Sequence, residues 1–431
     1  MKFYTVGIPA FFASASLIVG IANAGDAPIL GKGSHAQQIV ERALAAHRNI
    51  KAITLYAKVT GASSDVVVAS NRLSPTDRAS TTVQAVLKSR TSRYFTRGDT
   101  FYADLPQIDM QRKPVGALSL ELSISRGETR AEMERDAVAI RDELARRISY
   151  EANLVQAAQI DSNVPTHSYA QHLVDVELQR HPDVLILAIH AETPKNSDPE
   201  ILASNIGRIG KKADDDDMRV VRDGKTNLEV NKELQRYEVE LPLNDVSGVR
   251  LGALGVVFPL NAHTNLNARH DEAIHIRDEI SRRILTPANL VESWPYDPHF
   301  SDNTFAQMLV DKTLASHPDV QVIGLHVTPP DSKTNIILAS NIGRIGKVAD
   351  SDDMGVANTG KPNMAVNEAG DRFETELALH DRSGKQIGAI SIVYGYAKGD
   401  DKTLLARKAQ AIADEVSRQI SSAAALFAQA N

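Results

Sequence analysis

Cysteine is absent from all 431 residues. That removes disulfides, thiolate nucleophiles and Cys-ligated zinc together, and leaves apolar cores as the source of stability. Tryptophan occurs once and aromatic residues make up only 5%, too few for a surface that stacks sugars or bases. Positive charge is not in excess either: the net charge is -6, which gives nucleic acid no polycationic footprint. After Ala24 no apolar run approaches the roughly 20 residues that a bilayer span requires. A nucleophile elbow, a phosphate-binding P-loop and a dinucleotide fingerprint are all missing, and the serines and carboxylates come without an activating partner. No enzyme activity and no cofactor is expected, and a hydrolase with an unrecognised site is the remote alternative.

What is present at the N-terminus, residues 1–24, reads as a secretory signal peptide. Lys2 supplies the charged n-region, Val6 to Ile21 the apolar core, and Ala22-Asn23-Ala24 the small-residue cleavage site. The expected location is the periplasm or the medium, with no membrane span after cleavage; a retained anchor is the alternative.

Internal repetition decides the architecture. The run Ile201 to Lys211, ILASNIGRIGK, recurs letter for letter at Ile337 to Lys347. The same shift of 136 carries Ala170-Gln171 onto Ala306-Gln307, His181-Pro182-Asp183 onto His317-Pro318-Asp319, and Gly252-Ala253 onto Gly388-Ala389. A worn first copy keeps Ala36-Gln37, His47 and Ala69-Ser70-Asn71 at a shift of 134, and Gly116-Ala117-Leu118 at 136. The expected domains are 34–149, 166–285 and 302–421.

Each copy opens with apolar residues at helical spacing, such as Ala306, Leu309, Val310 and Leu314, and the His-Pro-Asp stops the helix. Strand-length runs follow at Val184 to Ala191 and Val320 to Val327. Alternating strands come later, as in Phe373 to Leu379. A long helix with the stripe Ala409, Ile412, Val416, Ile420 closes the copy. The fold class is therefore α+β: three modules, each an antiparallel sheet of about five strands flanked by an N-terminal and a long C-terminal helix.

The "ILAS…IGRIGK" element at Ile201 to Lys211, the acidic stretch Asp214 to Asp217, Gly224-Lys225 and the closing pattern Leu241 to Phe258, with their counterparts 136 later, resemble the extracytoplasmic Cache-type branch of PAS-like sensor domains. GAF domains are the nearest competitor. The resemblance covers copies two and three end to end and copy one at its flanks. It implies tandem PAS-like modules that bind a small carboxylate- or amine-bearing metabolite between the sheet and its middle segment. Typical members sit between spanning helices, and none is read here, so transmembrane signalling by this chain alone is not expected.

Ile201 to Met218 matches its copy at 16 of 18 positions, whereas Leu185 to Glu200 matches at 2 of 16, so something constrains the first segment more. One account makes the Gly-x-x-Gly turn an anion nest flanked by Arg208 and Lys211, or Arg344 and Lys347. Asp214 and Asp217, or Asp350 and Asp353, would answer a cation from the other side. The other account is a tight turn followed by helix-capping aspartates that pair with Arg208. His190 and His326 near the end of the first strand, and Asn227 and Asn363 after Gly-Lys, complete the candidate ligand-binding set, with pockets expected in copies two and three. His263, His270 and His275 lack a metal-ligand spacing, and no metal is expected. A non-catalytic scaffold binding a membrane receptor or another copy of itself is the alternative function, with the Ala-rich tail Ser421 to Ala430 extending the contact.

Overall fold

The computed structural model describes residues 27–430, so the leader read at 1–24 lies outside the described residues. The first copy runs α1 (His35–Ala46), β1 (Ile50–Ala57), β2 (Val66–Ser70), α2 (Thr81–Ser89), β3 (Arg93–Arg97), β4 (Thr100–Ile108), β5 (Pro114–Ser123) and α3 (Arg130–Ala145). The second follows the same order: α4 (Tyr169–Arg180), β6 (Ile186–Thr193), β7 (Asn196–Ser204), α5 (Asp215–Asp223), β8 (Asn227–Asn231), β9 (Arg236–Asn244), β10 (Arg250–Pro259) and α6 (Leu266–Ser281), then a single turn, α7 (Pro287–Leu290). The third comprises α8 (Phe305–Ser316), β11 (Val320–Val327), β12 (Ile336–Ser340), α9 (Ser351–Thr359), β13 (Asn363–Val366), β14 (Arg372–His380), β15 (Gln386–Gly395) and α10 (Lys402–Gln419).

Each copy builds one five-stranded sheet, and the third reads β12-β11-β15-β14-β13, with the other two in the same order. The expected α+β class of three tandem PAS-like modules is what the chain forms. The described residues divide into two compact units. One holds the chain up to Ala158 with Ala213–Arg219 and Asn227–Glu238; the other holds Gln159–Lys212, Val220–Thr226 and the chain from Val239. Among the described residues no helix is long and apolar enough to cross a membrane.

The repeated motifs are locks that make each copy. Ser34, Ser168 and Thr304 cap the opening helices by accepting from the N–H of Gln37, Gln171 and Gln307. The same glutamines accept, through Oε1, from the N–H of Ser70, Ser204 and Ser340 at the end of the second strand, at 3.2, 3.2 and 3.1 Å. One residue on, Asn71, Asn205 and Asn341 accept from the N–H of Ile53, Leu187 and Ile323 in the first strand, at 3.0, 3.1 and 2.9 Å. Ala-Gln and Ala-Ser-Asn thus pin the opening helix and two strands together in all three copies.

The two faces of the third sheet differ. Ile323, Leu325, Leu377, Leu379, Ile390 and Ile392 pack under α8 and α10 with Leu309, Ile412 and Val416. Each such buried side chain contributes about 1.5–3 kcal/mol. The opposite face, carrying His326, Ser391 and Val393, lies toward α9, which Gln386 fastens by donating to the carbonyls of Val356 and Ala357 at 3.0 and 2.8 Å. The segments after the closing helices fold back: Leu154, Leu290 and Leu426 are fully buried. The Ala-rich tail follows suit, with Ala428 accepting from the N–H of Phe305.

The Gly-Ala motif marks a close approach. A Cβ added at Gly116, Gly252 or Gly388 would lie 1.9, 1.9 or 2.1 Å from the carbonyl oxygen of Tyr56, His190 or His326. Gly388→Ala is therefore expected to lower the stability of the protein by about 1–3 kcal/mol, read by urea unfolding. A loss under about 0.5 kcal/mol would mean that β11 and β15 part freely.

Candidate functional site

The third copy gathers polar groups between its sheet and α9. His326 is buried on β11 and Asp353 is buried in the first turn of α9. Nδ1 of the histidine lies 3.0 Å from Oδ2 of the aspartate. On its other side Nε2 lies 3.0 Å from Ser391 Oγ, which also reaches Asp353 Oδ1 at 3.4 Å. Asp350 caps α9, accepting from the N–H of Asp352 and Asp353 at 3.0 and 3.1 Å, while its own N–H donates to Asp353. Glu376 on β14 stands opposite Ser391 and accepts from Asn363 Nδ2 at 3.5 Å.

Carboxylate oxygens of Asp350, Asp353 and Glu376 all lie within 4.8 Å of one another. Burial pushes the Glu376 carboxyl up, the Asp353 charge adds to it, and it reaches about 7. Burial would raise Asp353 as well, but the hydrogen bond and charge of His326, the Asp350 N–H and Ser391 hold it below the usual carboxylate range. The two neighbouring acids therefore differ in charge at neutral pH.

The structure brings His326, Asp350, Asp353 and Asn363 together and places Arg344 and Lys347 elsewhere. Arg344 adopts a left-handed φ of 64°, and its Nε and Nη2 hold the carboxylate of Glu292 at 2.9 and 2.6 Å. Lys347 is exposed. The glycines of that turn face protein: a Cβ at Gly346 would meet Asp297 and Phe300, and one at Gly343 would meet Tyr169. In the second copy the equivalent Gly210 faces Asp161, and the carbonyl of Ile209 accepts from the N–H of Ile160. The repeated Gly-Arg-Ile-Gly turn seats the segment that precedes each copy.

In the second copy His190 and Arg208 are buried and Lys211 is half-buried. They belong to one compact unit, whereas Asp214, Asp217 and Asn227 belong to the other. Asp214 accepts from the N–H of Asp216 and Asp217 at 2.9 and 3.0 Å, so the capping role holds there too. Burial raises its carboxyl above the ordinary range. The first copy replaces the histidine by Tyr56, whose hydroxyl burial pushes up, and beside it Ser119 Oγ donates to Asp104 at 2.5 Å. A surface cleft of about 360 Å³ lies on this copy, lined by Ser64, Asp65, Ala79, Gln84, Leu87 and Lys88.

Ser391, Glu376 and Glu292 were not among the expected residues. Ser391 and Glu376 occupy inward positions of alternating strands, a signal visible in the period of two; Glu292 had none.

The sheet order, with a helix between the second and third strands, defines the class as tandem PAS-like. No protein-family model matches the chain, and no curated protein does. Among solved structures it is similar to the E. coli DhaR(N)-DhaL complex, at 12% identity over 53% of this chain and 84% of that one, with a TM-score of 0.21. It is also similar to PelD 158-CT from Pseudomonas aeruginosa, at 13% identity over 56% and 74%, TM-score 0.21. A third is an extracellular ligand binding receptor from Desulfohalobium retbaense, at 11% identity over 69% and 43%, TM-score 0.18. The fold assignment stands on the sheets themselves.

A carboxyl raised in the folded state stabilises below its unfolded pKa, and that stability is lost as pH rises through the folded value. For Glu376 the window runs from about 4.5 to about 7. Glu376→Gln is expected to flatten the stability profile across that window, leaving the variant relatively more stable at pH 8 than at pH 5. Parallel melting curves for the two proteins would refute the assignment.

Proposed function

We propose that the chain is a non-catalytic, exported small-molecule-binding protein of the sensory, Cache-type kind, whose third copy takes a cationic, amine-bearing metabolite between its sheet and α9. The observation that carries this reading is the acid excess of the cluster beside α9. Three carboxylates converge there, and Arg344, the arginine of the repeated turn, is spent on Glu292. An ammonium group supplies the missing positive charge and donates to carboxylates already oriented by the cap of α9. Between the two expected ligand chemistries, this favours the amine over the carboxylate. On sequence grounds a second pocket in copy two remains part of the proposal. Export rests on the signal-like residues 1–24.

One geometry favours a second reading. Ser391 Oγ, His326 and Asp353 are linked in the order of a hydrolytic triad, at 3.0 and 3.0 Å. Against it, Ser391 sits within β15, paired with Gly324 on one side and Glu376 on the other. Its backbone is committed to the sheet and not raised on the sharp turn that presents a nucleophile beside an oxyanion hole.

A thermal-shift screen of the mature chain against amines, amino acids, organic acids and calcium tests the reading. An amine hit is expected, with binding weakened at least tenfold by Asp353→Asn and strengthened as pH rises from 6 to 8, because Glu376 must lose its proton. A hit confined to organic acids or calcium overturns the amine assignment. Ester turnover abolished by Ser391→Ala would establish the hydrolase instead.

A further inference from the structure

In every copy a histidine at the end of the opening helix meets a glutamate of the closing helix. His47 Nε2 lies 2.7 Å from Glu143, and His317 Nε2 lies 3.2 Å from Glu415. The second copy has this pair too, His181 with Glu279, but surrounds it differently. Glu177 stands one turn before His181, where the other copies have Ala43 and Thr313. His275 stands one turn before Glu279, where they have Ala139 and Ala411. Each helix of the second copy therefore presents a carboxylate and an imidazole at i,i+4 spacing, on one face and toward the other helix.

The geometry converges. His181 Nε2 lies 3.6 Å from Glu177 Oε2 and 3.8 Å from Glu279 Oε2. These three donor atoms lie within 4.8 Å of one another. His275 Nε2 lies 3.3 Å from Glu279 Oε1, and its ring stands edge-on to that of His181 with centroids 6.4 Å apart. Glu177 is 1% exposed. Its Oε1 accepts from Arg180 at 3.1 Å, while Oε2 accepts no hydrogen bond and faces the cluster, and Glu279 Oε2 is in the same position. Burial and then the facing Glu279 push the Glu177 carboxyl up to about 7. The fold does not need a buried acid here, since alanine and threonine fill the place in the other two copies.

We propose that Glu177, His181 and Glu279, with His275 as fourth ligand, form a site for a zinc-class divalent cation between α4 and α6. Two imidazoles and two carboxylates are the donor set of zinc and its first-row neighbours, not of magnesium or calcium. Tetrahedral bonds of about 2.0–2.2 Å put donors roughly 3.3–3.6 Å apart, so side-chain rotation closes the cluster without moving either helix. The exposed His275, at 66%, marks the entry side. Both spaced pairs are visible in the sequence, where no metal was expected.

Titrating zinc chloride into the full mature chain, prepared without a histidine tag, tests the site by calorimetry at pH 7.5. One equivalent is expected to bind with micromolar or lower Kd. Glu177→Thr, which installs the third copy's own residue, and His275→Ala, at an exposed position that cannot unfold the chain, are each expected to weaken it at least tenfold. Three results overturn the proposal: no binding up to millimolar zinc, binding unchanged in both variants, or binding lost with Asp353→Asn instead. A Glu177→Thr protein that is more stable at pH 7.5 by the same amount with and without zinc also overturns it, and makes the cluster a proton-sharing carboxyl pair. Except for loss of binding with Asp353→Asn, which would move zinc to the third copy, these results leave that copy's ligand untouched, because the two sites share no residue.

Discussion

The last strand of each sheet lies so close to the first that only glycine fits where they meet. At Gly116, Gly252 and Gly388 the space for a Cβ is taken by a carbonyl oxygen of the first strand, from the residue just before the one the glycine faces. That residue is Tyr56, His190 or His326, the side chain that defines the inner polar face of its copy. The contact makes the middle of the sheet continuous and sets which residues of the closing strand line that face. Ser391 comes to His326 because Gly388, three residues earlier, has set the register. The α9 cap then brings Asp353 to the same imidazole. Removing the close approach would disperse the cluster even with every polar residue kept.

Much of the fold was legible in the sequence. The 136-residue period, the helix-ending His-Pro-Asp and the alternation of Phe373 to Leu379 all map onto elements at the expected places. The site was less legible, because identity between copies marks what every copy must do. Gln171, Ser204 and Asn205 recur since each closes a hydrogen bond that any copy needs. Arg344 recurs within a turn that grips the preceding segment. Of the groups that converge under α9, His326, Asp350, Asp353, Asn363 and Glu376 all recur 136 residues earlier, so identity alone did not separate a site from a cap, and Ser391, which is Gly255 in the second copy, left no mark in the pattern.

After Asn71 the first copy reads Arg72-Leu73-Ser74-Pro75, without the Gly-Arg-Ile-Gly-Lys of the later copies. Where the later copies seat a preceding segment against that turn, the first places Pro75 against Gly31. The turn of the first copy thus also faces the segment before it, through different residues. Arginines reaching back between copies were equally hidden. Arg236 donates to Gln111, Ser149 Oγ and the Ser149 carbonyl at 3.0, 2.8 and 2.7 Å. Arg372, 136 residues later, donates to Ser247 and the Leu285 carbonyl. A single cation on the surface of a strand gives no periodicity from which such a role could be read.

The way each copy ends has a further consequence. Its final segment returns to pair with its own first cap, Ser34 with Ala157, Ser168 with Ser293 and Thr304 with Gln429. Entry and exit of the chain therefore lie side by side in every copy, as in a ring with one gap. In-frame duplication of one such stretch of gene lengthens the protein by a finished bead, with no strand left half-paired and no core opened. Growth by whole beads lets one copy acquire new chemistry while another keeps the old, and the acidic helix pair confined to the second copy is the kind of divergence such an arrangement permits.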